Sequence, residues 1–98
     1  MLILMKYLIV INMDNEILSS IFKECQDLSA YKNKRYGDEP LKLFGLKGIV
    51  TRLSDKFFRL KNLSMNEGED ADDESIEDTL KDMINYCGYG IMLIRGDL

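Results

Sequence analysis

Apolar residues return every three or four positions along three stretches of this chain, and the intervals between them are polar or carry glycine. From about residue 14 to 32, Ile17, Leu18, Ile21, Phe22, Cys25 and Leu28 line one face of a predicted helix. Asn12 or Asp14 stands where an N-cap belongs, and Glu16 places an acid in the first turn. Gly37 and Pro40 end that helix. Gly45 and Gly48 bracket Leu46, and Leu46, Val50, Leu53, Phe57 and Leu60 mark the face of a second helix, with Arg52, Asp55, Lys56 and Arg59 opposite and beside it. Ser64 to Asp73 is predicted to be an acidic loop. A third helix is predicted from about Asp73 to about Ile94, with Ile76, Leu80, Met83, Ile84 and Cys87 on its apolar face. Glu74, Asp78 and Asp82 recur at i, i+4 and i+8 on the other face, and Asn85 and Tyr89 continue that stripe. After Asn85 the helix becomes apolar all round, with Ile91, Met92, Leu93 and Ile94, which implies burial on several sides. Gly88 and Gly90 each cost about 1 kcal/mol against alanine in a helix. They signal either a closely approaching backbone or a break that turns residues 91–95 into a strand.

Residues 1–12 are mostly apolar. The run falls short of the ~20 residues needed to span a bilayer, and it lacks a signal peptide's cleavage site. Lys6-Tyr7-Leu8-Ile9-Val10-Ile11 suits a strand by its β-branching and equally suits a backward extension of the first helix. Either way so apolar a segment needs cover, from the body or from another subunit. The expected fold is mainly α: a compact three-helix domain at 13–98 with an apolar N-terminal arm that forms a strand or an oligomer contact. A homo-oligomer is expected, with no membrane association.

Composition narrows the chemistry. The 98 residues make one domain, and 46% hydrophobic content is that of a globular chain. The absence of histidine excludes a histidine base, metal ligand or pH switch. Cys25 and Cys87 have no CxxC spacing and are expected as small core thiols of a reduced, cytoplasmic protein. The net charge of −4 hides strong segregation. Residues 32–61 carry nine basic against three acidic side chains, or +6, whereas residues 62–98 carry ten acidic against two basic, or −8. Tyr31, Tyr36 and Phe44 lie in or beside the basic segment, but a pI of 4.8 weighs against direct DNA or RNA binding.

Two constellations carry candidate chemistry. Lys32-Asn33-Lys34-Arg35-Tyr36-Gly37 offers cations and backbone N–H groups to a phosphate, with no P-loop pattern. Together with the second helix it gives a candidate ligand set of Lys34, Arg35, Tyr36, Arg52, Lys56 and Arg59. The carboxylate row Glu74, Asp78 and Asp82 is the candidate metal set, for Mg²⁺ as the one cofactor considered. The bland alternative is a solvated face, or pairing of that row with Arg52, Lys56 and Arg59. No catalytic residue is assigned.

The order of these pieces resembles a known family. Lys32 to Gly37, Phe44 to Lys56, Arg59-Leu60-Lys61 and Glu74 to Tyr86 resemble, over about residues 30–94, the nucleotide modification associated domain 1 family of bacteriophages and prophages. The resemblance implies a small helical phage-type protein in the cytoplasm of a bacterial host, associated with nucleotide handling or DNA-base modification. The role expected for such a protein is to bind a nucleotide or other phosphorylated small molecule without catalysis. One alternative is a non-catalytic inhibitor of a bacterial defence system, binding a host defence protein or a signalling nucleotide. The acidic residues 67–73 would then make first contact. The third helix also resembles the last acidic helix of MazG-type all-α NTP pyrophosphatases. That implies a second alternative, a Mg²⁺-dependent nucleotide pyrophosphatase using Asp55, Glu74, Asp78 and Asp82. The glutamate pair those enzymes carry on the preceding helix is missing here.

Overall fold

The computed structural model describes residues 2–65 and 73–98, with side chains described at 4–6, 14–65 and 75–98. Most of the predicted acidic loop, and the 67–73 contact inferred from it, therefore lie outside the described residues. Four helices and no strand are present among the described residues: α1 (Leu2–Tyr36), α2 (Glu39–Lys42), α3 (Gly45–Met65) and α4 (Asp73–Arg95). The fold is all-α, as expected.

Of the roles open to the N-terminal arm, residues 2–12 take the backward helical extension, and no strand forms there. The reason is local. The first 36 residues contain neither glycine nor proline, and a nucleated helix adds a hydrogen bond for each further residue it fixes. The β-branched run subtracts only a few tenths of a kcal/mol per residue. At about 1.5 Å per residue, the 35 residues of α1 span the molecule's longest dimension of 52 Å. Among the described residues no helix is long and apolar enough to cross a membrane.

Gly37 ends α1 at φ +73°, and its N–H donates to Asn33 O at 2.8 Å, a left-handed cap that glycine adopts without strain. The short α2 follows, with Pro40 in its first turn, where the missing N–H costs nothing.

α3 and α4 pack antiparallel: Ile49 and Leu46 approach Gly90 near one end, and Lys56 meets Asp82 near the other. A Cβ at Gly90 would lie 3.5 Å from both Ile49 Cγ2 and Leu46 Cδ1, so Gly90 is the site of close approach. Gly88 faces open space, and α4 runs unbroken to Arg95, so the strand reading of 91–95 is not realised. The helix closes at Gly96 (φ +77°), where Asp97 N–H reaches back to Met92 O at 2.9 Å.

The buried stripe of α3 is rotated from the predicted one. Ile49 is 2% exposed, and Leu53, Lys56, Leu60 and Leu63 follow it inward at spacings of four and three. Leu46, Val50 and Phe57, assigned to the core face by pattern, remain largely exposed, as does Phe58. The helix carries two apolar stripes of similar regularity, and α4 takes one. On α4 the inward positions include Thr79 and Asp82, while Leu80 and Cys87 face out. Thr79 satisfies its hydroxyl by donating to Ser75 O at 2.7 Å. Only Cys25 behaves as the small core thiol expected; Cys87 is exposed. The all-round apolar end of α4 is uncovered within one chain, with Ile91 and Ile94 at the surface.

Candidate functional site

Polar contacts tie α1 to α4 where the two helices cross. Asn85 Nδ2 donates to Cys25 O at 3.0 Å, and the hydroxyls of Ser29 and Tyr89 share a short hydrogen bond. Lys81 on α4 reaches Glu24 on α1 at 3.6 Å and Glu77 at 3.5 Å. Beside this crossing the last turn of α1, the Gly37–Leu41 turn, α3 and α4 enclose a cavity of about 360 Å³. That volume is in the range of small-ligand sites.

Asp82 anchors the cavity wall. Its Oδ1 accepts from Lys32 Nζ at 2.7 Å and its Oδ2 pairs with Lys56 Nζ at 3.0 Å, so one carboxylate ties α1 and α3 to α4. Burial works to raise its pKa, but the hydrogen bonds and charges of the two ammonium groups prevail and hold it below its ordinary value. For Lys32, burial works to lower the pKa, and the Asp82 hydrogen bond and charge carry it above the ordinary lysine value.

The rest of the lining is aromatic and amide. Tyr36, Tyr86 and Tyr89 face the cavity with Asn33 and Asn85, and Arg52 stands at its α3 side. Tyr89 meets Tyr86 edge to face, with centroids 5.9 Å apart at 85°, and so props that ring. Arg52 forms no ion pair among the described residues. It is the cavity's uncommitted cation.

Of the predicted ligand set, the structure brings Tyr36 and Arg52 to the cavity, and Lys56 reaches its edge through Asp82. Lys34, Arg35 and Arg59 do not line it. Arg35 instead lies over the rings of Tyr31 and Tyr36, at 5.9 and 5.7 Å, and donates to the Tyr31 hydroxyl. Lys32 and Asn33 lie in the stretch read as a phosphate site but outside the named ligand set, and Asn85, Tyr86 and Tyr89 were passed over as binding residues. On α4 a signal was present: Asp82, Asn85, Tyr86 and Tyr89 fall at i, i+3, i+4 and i+7, one stripe of hydrogen-bonding side chains.

The described part of the predicted metal row, Asp78 and Asp82, forms no cation-holding group. Both Asp82 oxygens hold ammonium groups, Asp78 is exposed, and the Glu74 side chain lies outside the described residues. Among the described residues no three acidic or cysteine side chains are grouped to hold a cation. The described carboxylates do not fit Mg²⁺, which asks for near-octahedral oxygen donors. Among the described residues the ion pairs of the row are those of Asp82, made with Lys32 and Lys56, where Arg52 and Arg59 were considered alongside Lys56.

An all-helical chain with a tyrosine-lined cavity and a spare guanidinium is thus the class of molecule that fold and site define. The chain belongs to the nucleotide modification associated domain 1 family, whose model matches residues 32–94. No curated protein and no solved structure matches it. The family's description ties it to nucleotides; every residue lining the cavity falls within the matched segment.

Proposed function

We propose that this chain binds a phosphorylated nucleotide in the cavity between α1, α3 and α4, and does not convert it. The observation that carries the reading is the placing of Arg52, without an ion-pair partner among the described residues, beside three tyrosine rings and two side-chain amides. Aromatic faces accept any base, a guanidinium grips phosphate bidentately, and amides read a base edge. Asn85 and Tyr89 are committed to α1 through Cys25 and Ser29. Asn33, Tyr36 and Tyr86 are therefore the side chains left to meet the base, and Arg52 and Lys32 the cations nearest a phosphate. The setting that goes with this reading is a phage-type protein in bacterial cytoplasm, and what supports it is the family resemblance alone.

The test is calorimetric titration of the full chain with a panel of nucleoside mono- and triphosphates, at low and high salt. Binding is expected to weaken as salt rises and to fall about tenfold in Arg52→Ala, the worth of one charged hydrogen-bonding partner of about 1.4 kcal/mol. Absence of binding by every member at millimolar concentration overturns the proposal. Incubation with Mg²⁺ or Mn²⁺ and chromatography of products tests the non-catalytic half. Pyrophosphate release that disappears in Asp78→Asn and Asp82→Asn would restore the pyrophosphatase alternative.

The proposal extends to assembly. A second groove of about 480 Å³ runs between α1 and α4, lined by Phe22, Cys25, Ile84, Gly88 and Met92 among others. Leu18 and Phe22 beside it on α1, with Ile91 and Met92 on α4, are exposed in the single chain. We place a second copy of the chain on this face, because Leu18 and Phe22 on α1 and Ile91 and Met92 on α4 leave apolar side chains exposed along both of its helices.

A further inference from the structure

We infer that the cavity holds one half of a two-base ligand and that the second base stacks on Phe44. The ligand class is two nucleosides joined through a phosphate, supplied either as a free dinucleotide or as two neighbouring residues of a single strand. The inference rests on the nucleotide reading of the tyrosine-lined cavity. A neighbouring cavity of about 580 Å³ opens on the other side of Arg52, which lines both. Phe44, Lys47, Thr51 and Asp55 also line the second one.

Phe44 is unusual in two independent ways. Its φ is +63°, a left-handed conformation that bulky side chains rarely adopt, and it is 79% exposed. The backbone around it is over-determined. Gly45 is also left-handed at φ +56°, Gly48 N–H donates to Phe44 O at 3.3 Å, and Leu43 O occupies the space a Cβ at residue 48 would need. Local strain is thus spent holding a large apolar ring out in water, and strained residues of this kind cluster where ligands bind. An exposed ring beside cations is the recurring platform for a base of a single strand. The charges fit a diester. Lys47 and Arg52 against Asp55 leave +1 at the second cavity, which matches one phosphodiester and disfavours a triphosphate tail. The chain's overall −4 does not oppose this, because both cavities draw their cations from the segment that carries +6.

The experiment titrates the full chain with dTMP, dTTP, the dinucleotide dTpdT and an eight-residue oligo(dT), and repeats the series with adenine. The dinucleotide is expected to bind at least about tenfold tighter than the mononucleotide, from one base–aromatic stack. Phe44→Ala should erase that gain while leaving mononucleotide affinity within about twofold, and Phe44→Trp should keep it. Phe44→Gly relieves the strained φ, so it should melt higher than the native chain and still lose the gain. An octamer that binds as tightly as the dinucleotide identifies a single strand as the source; one that binds more weakly identifies a free dinucleotide. Mononucleotide binding with no gain from the second base, or equal losses for both ligands in Phe44→Ala, overturns the inference and leaves the cavity reading standing. Binding by neither ligand overturns both.

Discussion

Replacing Asp82 with alanine removes one carboxylate and strands two ammonium groups, Lys32 at 2.7 Å and Lys56 at 3.0 Å. A hydrogen bond to a charged group contributes roughly 1.5–3 kcal/mol when buried and a surface ion pair roughly 0.2–1. Asp82 is only 14% exposed, but its partners are 44% and 30% exposed, so the freed ammonium groups can turn into water. Each contact then falls between the two limits, near 1 kcal/mol, and the pair near 2 kcal/mol. For a chain of this size that lowers the melting midpoint by about 8–16 °C. The pH dependence follows in sign. The folded-state pKa of Asp82 lies below its unfolded value near 3.8, so its contribution is complete above that value and is lost as pH falls through the folded pKa. Lys32, raised above 10.5, keeps its contribution below that value and loses it as pH rises through its higher folded pKa. Native chain and Asp82→Ala should therefore differ most between about pH 5 and 10 and converge in acid. Thermal melts followed by circular dichroism across that range provide the assay. The variant has a second consequence, since Lys32 lines the cavity. Freed from Asp82, it should tighten phosphate binding by about fivefold at low salt, and the gain should vanish at high salt. A midpoint within about 2 °C of the native one at neutral pH would show the pair to be solvent-screened. Weaker phosphate binding would show that Asp82 itself holds the ligand.

Other outcomes follow from particular positions. In dilute, unassembled protein Gly88→Ala should stabilise by about 0.5–1 kcal/mol, because the added methyl meets nothing within the chain and alanine favours helix, whereas Gly48→Ala should lower the melting midpoint by several degrees, because its Cβ collides with Leu43 O; equal effects would refute both placements. Light scattering of the full chain should report a dimer or larger assembly, and Phe22→Glu, which puts a charge into the α1–α4 groove, should dissociate it. A native chain that is monomeric at high concentration refutes the assembly. In dilute native protein one of the two thiols, Cys87, should react rapidly with a thiol reagent, while Cys25 stays protected because burial shields it and pushes its pKa up.

Much of the fold was legible because breakers and periodicity agree. Gly37 and Pro40 mark the end of α1, Gly45 begins α3, and the predicted bounds of the third helix lie within a residue or so of α4. What pattern could not decide was which of two equivalent stripes faces inward. On α3, the stripe with Ile49 and the stripe with Val50 and Phe57 both suit a helix face, and the choice was made by the partner: Ile49, with Leu46 beside it, sits against Gly90. The N-terminal arm was ambiguous for a related reason, since β-branched residues suit strand and helix alike; the absence of any stop before Gly37 settled it. The site was half visible. Tyr36 and Arg52 were named from their basic surroundings, but Tyr86 and Tyr89 read as part of a helix face, and the cavity they line exists only once α1 crosses α4.

The boundaries of the family match sharpen this division. The match covers residues 32–94, and the tyrosine-lined cavity draws on residues 32–89 alone. The neighbouring cavity at Phe44 also falls inside it. The first 30 residues of α1 fall outside, yet they supply Ser29 and the Cys25 carbonyl that hold Tyr89 and Asn85 in place, and half of the apolar groove. The two parts should therefore fail separately. Changes at Arg52, Tyr86 or Phe44 should alter ligand affinity and leave assembly intact, because their side chains do not line the α1–α4 groove. Phe22→Glu should alter assembly and leave affinity within about twofold, because it touches neither cavity. Ser29→Ala is the informative intermediate: losing the hydrogen bond to Tyr89 should cost about 1 kcal/mol of stability and loosen the ring that props Tyr86. If ligand affinity then falls with assembly unchanged, α1 acts as a support for the site. If affinity stays constant while Tyr86→Ala abolishes binding, the cavity wall stands without that support, and the crossing of α1 over α4 matters for stability alone.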